Sequence, residues 1–345
     1  MKIVADDQIP FLEELFPDAV LIRKPGEAIC RADLIDAEVL LVRTVTRVDR
    51  SLLHGTPVRF VGTATAGYDH LDTDWLAERG IVWACAPGAN ATAVAEYVLC
   101  VIAALRTRHQ LSGQRLRAGV IGVGRVGSRV AQVLAEIGFE VIVNDPPRVL
   151  REPGFHSRAL AEWTDLDLIC VHAALTRQGP HPSYHLLDDE FFQRQKPATV
   201  LLNAARGAVI DTTVLLRQTH LTLCLDVWEH EPHICLELLK RATIATPHIA
   251  AYSVDAKRRV SVMLYQQAQP LFGLPNPTLP LDLNRTDRLT ATGWEKQALG
   301  IFNPLEYTEK MKEYLLADPK ESAFRFLYLR KTYPWRPNFI TSKGS

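Results

Sequence analysis

The sequence predicts an α/β protein organised around a doubly wound parallel sheet, and three observations carry that expectation. Short β-branched runs alternate with helical patterns from the first residue. One strand-to-helix junction in the middle of the chain holds glycines spaced G-x-G-x-x-G. The strand runs that follow this junction end, one after another, in charged or imidazole side chains.

The elements follow in chain order. "KIVAD", "VLLVR" (39–43), "RFVGTA" (59–64) and "IVWACA" (81–86) read as buried parallel strands, because β-branched residues suit a sheet covered on both faces. "PFLEELF" and "DTDWLAERG" read as helices between them, the second stopping on Gly80. "NATAVAEYVLCVIAALRTR" is a long helical pattern, apolar on nearly every side, which predicts burial between domains. A stronger strand series follows: "AGVIGVG", "EVIVND" (140–145), "DLICVHA", "TVLLNA", "LCLDVW" and "TIATPHI". A helix over 255–273 returns the chain to the first unit, which makes that unit discontinuous. The predicted division is 1–90 with 253–275, then 91–252, and a C-terminal region over 276–345 that opens in the proline-spaced "LPNPTLPLDL".

Composition narrows the partners. Lys+Arg and Asp+Glu balance at 39 each, which argues against a nucleic-acid or polyanion binder. The six cysteines include no C-x-x-C pair and sit mostly in apolar runs, as small buried thiols do. A reducing, cytoplasmic location is expected. "MKIVADDQIP" lacks a charged-then-apolar export pattern, and no apolar run reaches the ~18–20 residues of a membrane span. No membrane partner is expected.

Gly122, Gly124 and Gly127 form the glycine loop, and Val126, Val130, Val133, Leu134 and Ile137 form the buried face of the helix it opens. Such a loop turns tightly and lets backbone amides reach a pyrophosphate at the helix N-terminus. Asp145 closes the next strand, about 20 residues on, where a carboxylate binds two ribose hydroxyls and repels a 2′-phosphate. NAD is therefore favoured over NADP, with Arg148 the residue that would suit the phosphorylated cofactor. The alternative is that the glycines serve only close helix–strand packing.

Three later strand ends carry Arg206, then Asp226 with Glu231, then His248. Arg206 offers a fork for the carboxylate or carbonyl of a 2-hydroxy or 2-oxo acid, which lysine cannot copy. His248 suits proton transfer to and from the hydroxyl as hydride leaves the adjacent carbon. Glu231 would orient the ring and favour its protonated form. Taken singly, the arginine reads as a structural ion-pair member, the Pro-His as a loop histidine and the Glu-Pro as a turn. "HPSYH" (181–185), and His230 with His233, read as loop, and no metal site is expected.

"GVGRVG", "NAARGAVID", "LDVWEHEP" and "TPHIAAY" are the stretches by which the chain resembles the D-isomer-specific 2-hydroxyacid dehydrogenases, over roughly residues 1 to 275. "LLVRTVTRVD", "FVGTATAGYDHLD", "APGANATAVAEYV", "NDPPR" and "FRFLYLRKTYPWRPNF" resemble one branch of that family, whose substrate is a small phosphorylated hydroxy acid. The resemblance implies a Rossmann-type NAD domain, a flavodoxin-like α/β substrate domain and a small C-terminal α+β dimerisation region, hence a homodimer. It implies catalysis by Arg206, Glu231 and His248. Substrate contacts carry over to Thr44, Thr65 and Tyr252, and cofactor contacts to the glycine loop with Arg125 and Val126, and to Asp145, Ala173, Asp226 and Ala251. The expected site lies in the cleft between the two units, with NAD on the second and substrate held by loops of the first.

Two departures stand out. Ala173 and Ala174 replace the usual threonine and proline, removing a hydroxyl near the cofactor, and Ala251 stands where glycine is common. The substrate phosphate calls for a cation. Arg43 is one option, and Arg325, Arg330, Lys331 and Arg336 of the tail are others, although tail charges also suit a solvated face or dimer ion pairs. Competing readings are a glycerate or phosphoglycerate dehydrogenase, a NAD-sensing corepressor on the same fold, and an adenosyl-cofactor methyltransferase.

Overall fold

Alternation along each strand decides which side chains meet which layer, and the computed structural model shows that alternation in two separate sheets. It describes residues 1–280 and 293–340; the end of the proline-spaced linker lies outside the described residues. The first unit takes residues 1–90 and a return segment starting at Ser253. The second takes 91–252 and the described C-terminal residues.

In the first unit β1 (Lys2–Asp6), β2 (Val20–Lys24), β3 (Val39–Val42), β4 (Phe60–Thr63) and β5 (Val82–Ala84) pair in parallel in the order β2-β1-β3-β4-β5. This is the flavodoxin-like order. Ile3, Ala5, Val39 and Leu41 face a core shared with Val262, Leu264 and Tyr265 of the return helix Val254–Phe272. Val4, Leu40 and Val42 face the opposite core with Val61 and Leu76, the period-two pattern of a sheet covered twice. Ser253 begins the return helix by accepting the Ala256 N–H at 3.1 Å, and Gly273 ends it at φ 63°. The sequence reading overlooks β2. It is an edge strand, only partly buried, and its Arg23 pairs with Glu13 at 2.6 Å, so it lacks the continuous apolar run of the others.

The second unit holds β6 (Arg117–Ile121), β7 (Glu140–Asn144), β8 (Leu168–Val171), β9 (Val200–Asn203), β10 (Thr222–Leu225) and β11 (Ile244–Ala245). All are parallel, in the order β11-β10-β9-β8-β6-β7. Their last residues stand in register, Ile121 beside Asn144 and Val171, Val171 beside Asn203, Asn203 beside Leu225, and Leu225 beside Ala245. Everything that follows these six strands therefore emerges along one rim. Strand order reverses direction between β6 and β8, the switch point where α/β sheets bind ligands.

The helix Ala91–Thr107 is buried from Thr92 to Leu105. Within its own unit it packs against the helix Arg125–Glu136 on one side and Trp294–Ile301 of the tail on another, which accounts for its all-round apolar pattern. Among the described residues the tail is helical, over Trp294–Ile301, Pro304–Ala317 and Ser322–Lys331, where the sequence suggests an α+β region of its own. Trp294, Ala298, Phe302, Tyr333 and Phe339 join the core around Ala91–Thr107, and Met311, Leu315, Phe326 and Leu329 join the core on the other sheet face. Arg336 is 4% exposed. It donates to the carbonyls of Ala93, Ala250 and Tyr252 at 2.7, 2.6 and 3.0 Å. Among the described residues no helix is long and apolar enough to cross a membrane.

Candidate active site

At the switch point, the three glycines divide the labour. Gly122 has φ 80°, and a side chain there would lie 2.4 Å from the Ala173 backbone, so β6 and β8 approach too closely for any other residue. A Cβ on Gly127 would lie 1.9 Å from the Gly122 carbonyl oxygen, which sets close helix–strand packing. Gly124 differs: it caps the helix Arg125–Glu136 without a side-chain bond, and a Cβ there meets nothing within 4 Å. Gly124 and Arg125 are exposed while Val126 packs into the core. Open space in front of free helix N–H groups fits a pyrophosphate.

Asp145 follows β7 and places its carboxylate at the mouth of this loop, accepting the Val123 N–H at 2.8 Å and the Arg148 N–H at 2.9 Å. Arg148, the residue that would suit a 2′-phosphate, is already engaged. It binds both Glu152 oxygens, at 2.7 and 3.0 Å, donates to the Val123 carbonyl at 2.7 Å and covers the Phe155 ring at 4.2 Å. The residues present thus fit NAD: glycines for the pyrophosphate, a carboxylate for the ribose, and no uncommitted arginine at position 148.

Farther along the rim, His248 Nδ1 lies 2.8 Å from Glu231 Oε2. The other carboxylate oxygen of Glu231 accepts the Trp228 N–H at 2.9 Å, so the acid is fixed from both ends. Burial pushes the Glu231 carboxyl up. The charge and hydrogen bond of His248, the Arg330 charge and the Trp228 N–H outweigh burial and hold it below its ordinary value. An ionised Glu231 requires the proton of the His248 ring on Nδ1, which leaves Nε2 to accept one.

Two devices seat His248. Its backbone adopts the left-handed φ of 58°, held by its N–H on the Asp226 carbonyl at 2.8 Å. The buried Asp226 carboxylate accepts from the Thr246 hydroxyl at 2.6 Å, the Ile249 N–H at 2.8 Å and the Ala250 N–H at 3.0 Å. Burial raises the Asp226 carboxyl, against the opposing pull of His248 and these donors. The sequence suggests Asp226 as a cofactor contact; its oxygens are directed into the loop that carries His248. Ala251, three residues beyond His248, is partly buried against the core around the helix Ala91–Thr107.

Arg206 stands three residues beyond β9. Asn203 pins its loop by accepting the Ala205 N–H and donating to the Arg206 carbonyl, both at 3.1 Å. A Cβ on Gly207 would lie 1.9 Å from the Trp228 carbonyl carbon. That close approach brings the Arg206 loop directly beside the loop of Glu231. In the first unit Thr44 and Thr65 follow β3 and β4, whose ends Val42 and Thr63 are paired. The Thr65 hydroxyl donates to the Gly67 carbonyl and meets the Thr63 hydroxyl, each at 2.7 Å.

Three features of side-chain placement escape sequence reasoning, although Arg330 itself is among the tail cations that the sequence offers. Arg330, from the tail, donates to the Tyr252 hydroxyl at 3.2 Å and lies 3.9 Å from Glu231 Oε2. Glu229 bridges His185 Nε2 at 2.7 Å and the Thr212 N–H at 2.9 Å, tying loops that precede and follow Arg206. His172, following β8, has neither ring nitrogen hydrogen-bonded among the described residues, and burial pushes it down to about 3. Only the "EHE" of "DVWEHEP" signals the second feature; nothing in the local sequence signals the other two.

The D-isomer specific 2-hydroxyacid dehydrogenase NAD-binding domain matches residues 102–250. Fold and site define a NAD-dependent dehydrogenase, and the chain belongs to the D-isomer-specific 2-hydroxyacid dehydrogenase family. Within it the chain falls among relatives named erythronate-4-phosphate dehydrogenase. The one from Coxiella burnetii is 46% identical over 349 residues, covering 98% of this chain and 93% of the relative. That from Pseudomonas fluorescens is 41% identical, covering 97% and 92%. Among solved structures, D-lactate dehydrogenase from Aquifex aeolicus, complexed with NAD and lactic acid, superposes with a TM-score of 0.65 at 26% identity. It covers 79% of this chain and 96% of that one.

Proposed function

We propose that the protein oxidises 4-phospho-D-erythronate to 3-hydroxy-2-oxo-4-phosphooxybutanoate, a step toward pyridoxal 5′-phosphate. The observation that carries this reading is the 2.8 Å contact of His248 with Glu231, on the same rim as the glycine loop, in a chain so similar to the named relatives. NAD, when bound, supplies the acceptor for the hydride that leaves C2. Arg206 grips the substrate carboxylate and carbonyl oxygen with a two-pronged contact. His248 Nε2 takes the C2 hydroxyl proton as the carbonyl forms and returns it in the reverse direction. Glu231 holds the ring in the accepting tautomer and stabilises the imidazolium. Asp226 acts one step back, by shaping the loop that carries the ring.

Gly122, Gly124, Arg125, Val126, Gly127, Asp145, Ala173 and Ala251 are proposed to line the cofactor, and Thr44, Thr65 and Tyr252 to contact the substrate. A cytoplasmic homodimer completes the proposal. The helix Ser322–Lys331 leaves Phe324, Leu327 and Tyr328 exposed, which supports a partner there, and all six cysteines are free. Sedimentation showing a monomer at micromolar concentration would remove the dimer. The decisive test of the chemistry is His248→Asn: turnover should fall ~100-fold or more while NAD still binds. Near-normal turnover would refute the role given to His248.

A further inference from the structure

A 2-hydroxy acid bearing a phosphate carries two anionic ends, and one guanidinium at the carboxylate leaves the second end unmatched. The cations that the sequence offers for it differ sharply in what they already hold. Arg43 has its Nε 3.0 Å from the fully buried Asp6 carboxylate, so its charge is answered within the first unit. Arg325 donates to the Tyr314 carbonyl at 2.6 Å, lies over that ring at 4.7 Å and faces Asp318 at 3.8 Å. Arg336 is spent on backbone carbonyls. Lys331 is exposed on the surface of its helix.

Arg330 is different. Its side chain is 14% exposed, its Nε donates to the Tyr252 hydroxyl, and its Nη1 lies 3.9 Å from the Glu231 oxygen that holds His248. That distance is too long for a hydrogen bond. Among the described residues neither Nη group is hydrogen-bonded to protein, so a planar pair of donors remains beside the catalytic dyad. Glu231 at that distance, itself shared with His248, and the more remote Asp226 are weak reasons to keep a guanidinium largely out of water. A doubly charged phosphate gives a stronger one, because its oxygens match the arginine fork.

We propose that Arg330 binds the phosphate of the substrate, beside Tyr252, while Arg206 takes the carboxylate end. The assignment rests on the substrate named under the proposed function. It makes the C-terminal helix part of the site and the discriminator between phosphorylated and plain hydroxy acids.

The test compares kcat/KM for 4-phospho-D-erythronate and D-erythronate in the wild type, Arg330→Ala and Arg330→Lys. Arg330→Ala should lose about 10- to 100-fold more for the phosphorylated acid than for D-erythronate, the excess appearing mainly in KM. Arg330→Lys should show a smaller loss of the same kind, because a point charge replaces the fork. It serves as the reading should the alanine variant fail to fold. Equal losses for both acids, or an unchanged preference, overturn the proposal and leave Arg330 as a support for Glu231. A wild type that does not favour the phosphorylated acid overturns the assigned substrate as well.

Discussion

Changing Glu231 to glutamine preserves shape and removes one charge, so its effect can be worked from the contacts it disturbs. The amide oxygen can still accept the Trp228 N–H that Oε1 accepts at 2.9 Å. The amide nitrogen then faces His248 Nδ1, across the 2.8 Å now spanned by a hydrogen bond to Oε2. Two donors cannot share that space. The ring must move its proton to Nε2, the nitrogen assigned to receive the substrate proton. Loss of a hydrogen bond to a charged group costs ~1.5–3 kcal/mol, and each 1.36 kcal/mol is tenfold in rate, which gives about 10- to 150-fold. The wrong tautomer places the expected fall in kcat at the upper end. The sign with pH follows from the lowered Glu231 carboxyl: its support for His248 is present above the ordinary carboxylate pKa and lost as pH falls through the lowered value. Steady-state rates read from reduced nicotinamide absorbance, with NAD affinity measured separately, test this. A kcat within about threefold of the wild type, at unchanged NAD affinity, would refute the reasoning.

The glycine loop separates binding from stability. Gly124→Ala should leave the melting temperature unchanged, since its methyl meets no protein atom, yet raise the KM for NAD by about tenfold or more by occupying the pyrophosphate space. Gly127→Ala should instead lower the melting temperature, because its methyl meets the Gly122 carbonyl; the reverse pattern would contradict the division of roles. Asp145→Ser should narrow the preference for NAD over NADP, and an unchanged ratio would argue against the ribose contact. His172 stays neutral in the fold until about pH 3, while the unfolded chain binds a proton near its ordinary 6.5. Between those values the folded state holds fewer protons, so stability falls as pH drops through that window. Thermal melts of His172→Asn should show a shallower decline, and an identical slope would remove His172 as the cause.

Most strands were legible in chain order because their side chains are apolar on two faces, as in "VLLV" and "LICV", and because Gly80 marks where a helix stops. β2 was not, since an edge strand carrying Arg23 and Lys24 looks like loop. At the site, the contact between Glu231 and His248 could be anticipated from two consecutive strand ends, because parallel strands in register deliver their successors to one rim. The approach of Arg330 could not. That residue arrives from a tail helix whose docking depends on Met311, Leu315 and Phe326 filling a core, a packing event with no local signature. The inward turn of Asp226 was equally invisible: the same residue type at a strand end suits a ligand or a loop, and only the positions of the Ile249 and Ala250 amides decide.

The clamp made by Arg336 has a consequence for how the chain matures. The carbonyls it gathers belong to Ala250 and Tyr252, in the turn after His248, and to Ala93, residues that leave the ribosome 86, 84 and 243 positions earlier. The turn behind His248 can therefore be tethered only after the chain has been made as far as Arg336. Competence for hydride transfer should arrive late in synthesis, because the residues that fasten the catalytic turn and fill both cores of its unit come last.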